Sequence, residues 1–492
     1  MRHSSFFVYS CSIEPPPSTL PLYVDLDGTL IRGDTTQISA LALLRKNPWQ
    51  LFRAALAMKD GRAAAKQIIA DHQPLDAASL PYRPEVIEYV KRAKAHGRRV
   101  VLATGAEKRY GDAVAAHLGL FDDVFGSEHG VNLTSSNKLA AMIKDGGDAF
   151  EYLGDSHADA KIFDVSTVSG WVGVKNIKRT DANTKGLYRL CTDPVNTPAG
   201  ILKLVRPHQW TKNLLVFLPL LTAHKLWEGP AFTHTLLATI ALCFIASACY
   251  VLNDALDITA DQAHPKKKLR PLANGEVTTV FAGVLFAALL IAGLLLGAMA
   301  SGKAFGALLV YLGLNLAYNL FLKRRLLVDV LALAGLYAWR PVIGGVAAGV
   351  WLSESLVIFC AFFFASLSLL KRFTELKPHA DAGKMLDLPG RGYQPQDLPV
   401  VQTVGLICGI AAVLVMALYV DNPLVRQLYT EPRWLWLWCP LIGYWVVRAW
   451  LLANRGGLHH DPVVFAFTDT RSYAVIVSML IAAWLAGPKG LP

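Results

Sequence analysis

Three aspartates at steps of three and four residues, Asp254, Asp257 and Asp261, follow Asn253 at the end of an apolar run. Four cations come just behind them, in His264-Pro265-Lys266-Lys267-Lys268-Leu269-Arg270-Pro271. On a helix such steps stack side chains, so the three carboxylates share one face. A face of oxygen ligands can hold Mg²⁺, and Mg²⁺ commonly bridges protein carboxylates to substrate phosphates. Three acids beside so much hydrocarbon are expensive unless they bind something. A second set of polar clusters lies near the start of the chain. Leu22-Tyr23-Val24 reads as a buried strand ending in Asp25-Leu26-Asp27-Gly28-Thr29-Leu30. A second strand, Arg99 to Ala103, ends in Thr104-Gly105, and a third, Phe150 to Leu153, ends in Gly154-Asp155-Ser156-His157-Ala158-Asp159. Strands alternating with helical segments imply a parallel sheet, and ligands collect at its carboxyl edge. All three clusters sit at that edge.

The elements that must position these residues are of two kinds. The 492 residues are 53% apolar and 17% charged, with a mean hydropathy of +0.36. That is too apolar for an ordinary soluble protein and too long for one compact domain. Residues 21–190 read as a soluble α/β domain, 191–206 as a linker bracketed by Pro194 and Pro198, and 207–492 as an all-α polytopic membrane domain. Apolar stretches near 207–224, 232–252, 279–300, 304–322, 328–349, 355–370, 398–420, 433–453 and 472–487 predict about nine transmembrane helices. The loops at 253–278, 323–327, 371–397 and 454–471 carry 14 Lys and Arg, against four on the other side: Lys225, Lys303, Arg426 and Arg433. Positive charge marks the cytoplasmic face. The bias predicts a multi-pass protein of the inner or plasma membrane, with the Asp-rich loop and the N-terminal domain in the cytoplasm. The net charge of +11 follows from that bias and from phosphate-binding cations. No basic stripe with interleaved aromatics speaks for nucleic acid. Residues 1–20 lack a signal-peptide apolar region and read as a disordered lead-in. The seven cysteines show no CxxC spacing and read as reduced packing residues.

The run NDxxDxxxD followed by RPLANG resembles the UbiA superfamily of intramembrane prenyltransferases, over roughly residues 200–490. That resemblance implies an all-helical enzyme binding a diphosphate through Mg²⁺ on Asp254, Asp257 and Asp261. The N-terminal set DxDGTL, Thr-Gly, Lys and GDxxxD looks like the haloacid dehalogenase (HAD) phosphatases, over about residues 20–180. It implies a Rossmann-like parallel sheet with a small helical cap at about 34–83. In that likeness Asp25 is the nucleophile forming an aspartyl-phosphate, and Asp27 the general acid/base. Thr104 and Lys138 grip the phosphoryl oxygens, with Lys144 a nearby rival to Lys138. Asp25, Asp27, Asp155 and Asp159 are the candidate metal set, Asp159 completing the shell or orienting Lys138. The chemistry needs these residue types. A carboxylate nucleophile splits hydrolysis into two easier steps, and Mg²⁺ with Lys neutralises charge on the transferring phosphoryl. A second carboxyl two residues on moves protons.

Quinone-type aromatic prenyltransferases and polyprenyl-phosphate phosphoribosyltransferases share the UbiA scaffold, and the Asp-rich motif alone does not separate them. Three stretches resemble decaprenyl-phosphate phosphoribosyltransferases: Arg206-Pro207-His208-Gln209-Trp210-Thr211-Lys212-Asn213, His264-Pro265-Lys266-Lys267, and Asp461-Pro462-Val463-Val464-Phe465-Ala466-Phe467-Thr468-Asp469. By that likeness the substrates are phosphoribosyl diphosphate and a polyprenyl phosphate lipid. Lys212 and Asn253 are candidate substrate ligands, and Lys266, Lys267 and Arg270 offset diphosphate charge. Tyr318, Lys323 and Asp329 resemble the family's YxxxxK…D element, which adds phosphate contacts. Lys371 and Arg372, in a KRxxEL stretch, read either as substrate contacts or as a snorkelling helix end. Arg340, at mid-span, reads either as a site residue or as a packed arginine bonded to helix carbonyls. His459-His460 beside Asp461 reads as loop polarity. The transfer product carries a 5-phosphate that a fused HAD phosphatase is suited to remove. The rival arrangement is an aromatic prenyltransferase whose HAD domain serves another phosphomonoester or is structural.

Overall fold

The computed structural model describes residues 19–128, 130–173, 187–191, 195–381, 392–458, 462–466 and 468–487. Residues 1–18 of the expected lead-in, Pro194 of the linker, and His459, His460, Asp461 and Phe467 of the last loop lie outside them. The chain forms two compact units. One combines the part up to Val205 with Tyr250–Leu285, and the other combines Arg206–Cys249 with the part from Phe286 onward. The Asp-rich segment thus belongs to the same unit as the N-terminal sheet.

Six strands make that sheet: β1 (Leu22–Val24), β2 (Val100–Glu107), β3 (Asp123–Ser127), β4 (Glu151–Gly154), β5 (Val168–Val172) and β6 (Leu187–Cys191). All pairings are parallel, in the order β3-β2-β1-β4-β5-β6. The apolar runs behave as strands buried on both faces should. Leu22 and Val24 enter one core with Val100 and Leu102, while Tyr23 enters the other with Val101 and Tyr152. Strand order reverses around β1, flanked by β2 and β4, and such a switch point opens a crevice at the carboxyl ends. Between β1 and β2 come α1 (Thr35–Lys46), α2 (Pro48–Ala57), α3 (Arg62–His72) and α4 (Pro84–Ala95). The first three fill the expected cap region. Downstream lie α5 (Lys108–Leu118), α6 (Ser136–Gly146) and α7 (Ala160–Val165).

The helical half differs from expectation in its count. Six helices among the described residues are long and apolar enough to cross a membrane: Gly229–Leu256, Thr279–Ala300, Val328–Ala348, Glu354–Asp381, Pro395–Asp421 and Pro432–Asn454. Three of the nine expected stretches are not among these six. Stretch 207–224 is a 3₁₀ segment, Pro207–Phe217, then a five-residue helix, Leu218–Thr222. Pro207 and Pro219 each lack an N–H donor and so suit helix starts rather than a helix interior. Gly302–Leu320 is a 19-residue helix carrying Asn315 and Asn319, and Thr470–Leu485 runs for only 16 residues. Tryptophans tie helices together inside this unit. Trp450 Nε1 donates to Ser366 Oγ at 3.2 Å, and Trp445 Nε1 to Ser472 Oγ at 2.7 Å.

At the amino edge of the sheet Glu151 is fully buried, and Arg98 Nη2 donates to it at 2.6 Å. The hydroxyls of Tyr89 and Tyr188 donate to the same carboxylate. A buried ion pair adds little net stability, but removing one partner strands the other charge. Arg98→Ala is expected to cost about 3–5 kcal/mol. Scanning fluorimetry of the detergent-solubilised chain should show an unfolding transition at clearly lower temperature, and an unshifted one contradicts this.

Candidate phosphoryl site and Asp-rich site

Asp25 and Asp27 stand where β1 ends. The β1–β4 register pairs Val24 with Leu153, and Asp25 N donates to Leu153 O at 2.9 Å. That register carries Asp155, two residues past Leu153, to the same edge. The β1–β2 pair Val24–Leu102 likewise brings Thr104, fully buried, level with the Asp25–Asp27 turn. Gly28 closes the turn with φ +79°, and a Cβ there would fall 2.1 Å from Asp155 Oδ2. Only glycine fits that backbone and that gap.

Asp25, Asp155 and Asp159 each offer a carboxylate oxygen, all within 4.8 Å of one another. Among the described residues this is the one such cluster of three or more His, Cys, Asp or Glu. Lys138 on α6 reaches into it, with Nζ 2.9 Å from Asp25 Oδ1 and 3.4 Å from Asp159 Oδ1, while donating to Tyr152 Oη at 3.0 Å. Lys144, on the same helix, is exposed, so the geometry brings Lys138 to Asp25. Burial, partly offset by Lys138 and reinforced by Asp159, pushes the Asp25 carboxyl up to about 6. Burial and then the charges of Asp25 and Asp159 push Asp155 to about 7. The cluster is therefore short of positive charge, and its donors are all hard oxygens at one strand edge. That donor set suits Mg²⁺.

Asp27 accepts from Thr35 N at 2.7 Å, at the start of α1. Burial, then neighbouring Asp34, holds its carboxyl well above the usual range, which suits a group that must carry a proton. Two further residues border this site and escaped sequence reasoning. Lys66 on α3 donates to Gly105 O at 2.5 Å and Asn132 Oδ1 at 2.8 Å. Arg83 donates to Gly28 O at 3.1 Å. Lys66 belongs to the Ala-rich run Arg62-Ala63-Ala64-Ala65-Lys66, where nothing local sets it apart from Arg62.

In the Asp-rich segment the helix Gly229–Leu256 ends before Asp257, which stands ahead of the short helix Ile258–Gln262 without a side-chain capping bond. Backbone bonds from Asp257 N to Asn253 O at 3.0 Å and from Asp261 N to Asp257 O at 2.8 Å carry the spiral across the joint. The three carboxylates do not gather on one another. Arg270 Nη1 bridges Asp254 Oδ1 at 3.1 Å and Asp261 Oδ2 at 2.6 Å, both acids being buried. Asp257 pairs instead with Arg45, from the last turn of α1. Guanidinium groups thus offset the charge of carboxylates that would otherwise repel one another. Asn253 lies half-buried beside them, and Lys266 and Lys267 are exposed. Three carboxylates and an amide remain a hard-oxygen set of the kind Mg²⁺ takes.

The other unit holds two polar clusters of its own. Asp329 and Arg372 are both fully buried, with Arg372 Nε donating to Asp329 Oδ2 at 2.8 Å and Tyr393 Oη to Asp329 Oδ1 at 2.8 Å. Arg372 also pairs with Glu375, and its Nη2 is buried with no hydrogen-bond partner among the described residues. The helix Glu354–Asp381 runs on through Lys371 and Arg372. Arg372 thus lies inside the packing rather than snorkelling, whereas Lys371 is half-buried. Lys323 is half-buried, and Tyr318 packs on the core around Tyr311 and Leu336. In the second cluster Arg340 donates to Leu336 O, Asn213 Oδ1 and Tyr311 Oη and lies 4.6 Å from the Tyr337 ring centroid. It is the packed, carbonyl-bonded arginine of the two alternatives. Lys212, buried, has its Nζ over the same Tyr337 ring, 5.6 Å from the centroid.

Comparison with known proteins agrees with both halves. Residues 215–470 match the UbiA prenyltransferase family, and residues 22–163 match the haloacid dehalogenase-like hydrolases. The chain is 35% identical to the uncharacterized protein y4nM of Sinorhizobium fredii, over 94% of this chain and 91% of that one. It is 29% identical to the decaprenyl-phosphate phosphoribosyltransferase of Mycobacterium tuberculosis, over 60% of this chain and 94% of that enzyme. Among solved structures, a UbiA homolog from Archaeoglobus fulgidus bound to GPP and Mg²⁺ aligns with 57% of this chain and 99% of its own, at 18% identity and a TM-score of 0.43. Together with the six apolar helices, the family match makes this a multi-pass membrane protein. The chain belongs to the UbiA prenyltransferase family and carries a haloacid dehalogenase-like domain ahead of its membrane half.

Proposed function

We propose that the chain is a bifunctional membrane enzyme. Its membrane half transfers 5-phosphoribosyl from phosphoribosyl diphosphate to a polyprenyl phosphate, and its N-terminal half removes the 5-phosphate of the product. The transfer reading is carried by the likeness to a decaprenyl-phosphate phosphoribosyltransferase along 94% of that enzyme. The hydrolytic reading is supported by Lys138 standing between Asp25 and Asp159.

In the transfer, Asp254, Asp257 and Asp261 hold the diphosphate end of the donor, with Asn253 beside them. Bound Mg²⁺ would supply charge neutralisation on the departing diphosphate. Lys266, Lys267 and Arg270 share that task; for Lys212, Tyr318, Lys323, Asp329, Lys371 and Arg372, in the other unit, the family likeness alone supports a role as substrate contacts. Arg372 Nη2 has no hydrogen-bond partner among the described residues, and a buried donor of that kind calls for an acceptor. The bond from ribose C1 to the diphosphate oxygen breaks as a phosphate oxygen of the lipid attacks C1. The products are polyprenyl-phosphoryl-5-phosphoribose and diphosphate.

In the hydrolysis, Asp25 attacks the 5-phosphoryl phosphorus and Asp27 protonates the departing sugar oxygen. Water, giving its proton to Asp27, then frees phosphate from the aspartyl-phosphate. Lys138 and Thr104 hold the phosphoryl oxygens. Mg²⁺ on Asp25, Asp155 and Asp159 would offset their charge when bound. Both sites are assigned to the cytoplasmic face, following the loop charges.

Asp257→Asn should lower transfer by roughly 100-fold or more, since a metal ligand is lost, while hydrolysis of a small phosphomonoester persists. Radiolabelled phosphoribosyl diphosphate with polyprenyl phosphate and membranes reads the first. Wild-type transfer in Asp257→Asn contradicts the assignment, as does labelling of an aromatic acceptor from polyprenyl diphosphate instead. Asp25→Asn should cost the phosphatase roughly 10³-fold or more and leave transfer intact. An amide cannot attack phosphorus as a carboxylate does, so unchanged hydrolysis removes Asp25 as nucleophile.

The link between the halves has its own readout. Mass spectrometry of lipid products should find polyprenyl-phosphoryl ribose without the 5-phosphate from wild type, and the 5-phosphorylated lipid from Asp25→Asn. Identical 5-phosphorylated lipid from both would assign the N-terminal half another substrate.

A further inference from the structure

The cap helix α1 touches both sets of acids. At its start Thr35 N bonds Asp27, and Asp34 caps it through Gln37 N at 2.8 Å. At its end Arg45 pairs with Asp257, each side chain only about one-sixth exposed (16% and 17%). Between these ends Gln37 takes a hydrogen bond from the Thr279 hydroxyl. Just before α1, the Arg32 backbone lies against Gly275, where φ is +75° and a Cβ would fall 2.6 Å from Arg32 O. No side chain could enter that gap, so the loop that follows Asp27 and the loop that follows the Asp-rich motif meet backbone to backbone. The far side of the same loop is held by Asn196 and Thr197. Thr278 N donates to Asn196 Oδ1 at 3.0 Å, and Thr197 Oγ1 to Glu276 at 3.0 Å. Twelve helical residues at 1.5 Å each make a strut of about 18 Å with one acid-bearing site at either end.

We propose that Arg45 is a positioning residue for the Asp-rich site, supplied by the cap of the hydrolase half. The proposal rests on reading that site as a diphosphate site. Asp257 sits at the joint between Leu256 and Ile258, where a side chain is least fixed by its own helix. A carboxylate that takes a cation through one oxygen is commonly oriented by a donor on the other. Arg45 is such a donor. It adds positive charge beside an anionic ligand, and the last turn of a helix favours a cation. Arg270 plays the corresponding part for Asp254 and Asp261 from within the loop, but Asp257 draws its guanidinium from a segment 212 residues away. The transferase site of this chain is thereby completed by its phosphatase half.

The test uses the full chain in detergent with Asp155→Asn, so that the phosphoryl site contributes no metal binding, and inorganic diphosphate with Mg²⁺ as the probe, titrated by calorimetry. Arg45→Ala added to that background should bind the probe about 10-fold or more weakly. Arg45→Lys should recover most of the loss, with thermal transitions unshifted in both. In transfer assays the same Arg45→Ala change should raise KM for phosphoribosyl diphosphate more than it lowers kcat. Equal or tighter binding in Arg45→Ala overturns the proposal while leaving the diphosphate reading in place. A loss that lysine does not recover assigns the effect to packing and overturns it as well. If the Asp155→Asn chain with native Arg45 takes up no diphosphate, the reading of the Asp-rich site fails first, and the proposal with it.

Discussion

Asp25 lies at the end of a strand buried on both faces, so water cannot compensate its charge and neighbouring groups must. Asp155 and Asp159 crowd it further, and among the described residues Lys138 is the ammonium group paired with it. Much of the N-terminal half follows from that need. The strand order brings β4 beside β1 so that Asp155 can approach, Gly28 leaves room for it, and α6 delivers a lysine whose length is spent inside the protein. The remaining deficit of positive charge is what the proposed Mg²⁺ would offset. The same logic recurs in the Asp-rich segment with guanidinium groups as the compensating charge, and in the other unit, where Arg372 answers Asp329.

The strands and their polar ends were legible because burial on two faces leaves an apolar run in the sequence, and the acids interrupt it at its end. The Asp-rich motif was legible for a similar reason, being a polar break in hydrocarbon. The sequence favoured Lys138 by likeness alone, with Lys144 as a rival, and the structure adds the physical reason. Both lie on one helix six positions apart, and only the first is turned inward. The shared face of Asp254, Asp257 and Asp261 was a helix inference that the joint at Asp257 modifies. Periodicity says nothing about where a helix pauses. Stretch 207–224 was apolar enough to suggest a span, and its two prolines were the overlooked signal.

Arg45 and Lys66 were invisible for a different reason. Each sits on an ordinary amphipathic helix, and what distinguishes it is a partner far along the chain: Asp257 for the first and Gly105 with Asn132 for the second. Local composition carries no trace of such pairings. The fully buried Arg372 was half legible, since a basic run at a helix end reads equally well as lipid-facing. Only its position against Asp329 separates the two.

Because Tyr250–Leu285 belongs to the same compact unit as the N-terminal sheet, the boundary between the two halves is not a place where this chain can be cut cleanly. A scissor placed near residue 206 to obtain a soluble fragment would peel the Asp-rich loop from Arg32, Gln37 and Arg45. Their surfaces would then face water instead of a fitted backbone, and the fragment would carry a raw patch that the intact protein never exposes. The graft works in the other direction too. Attaching this membrane half to a foreign hydrolase would require copying the contour of α1, not merely matching the length of the tether.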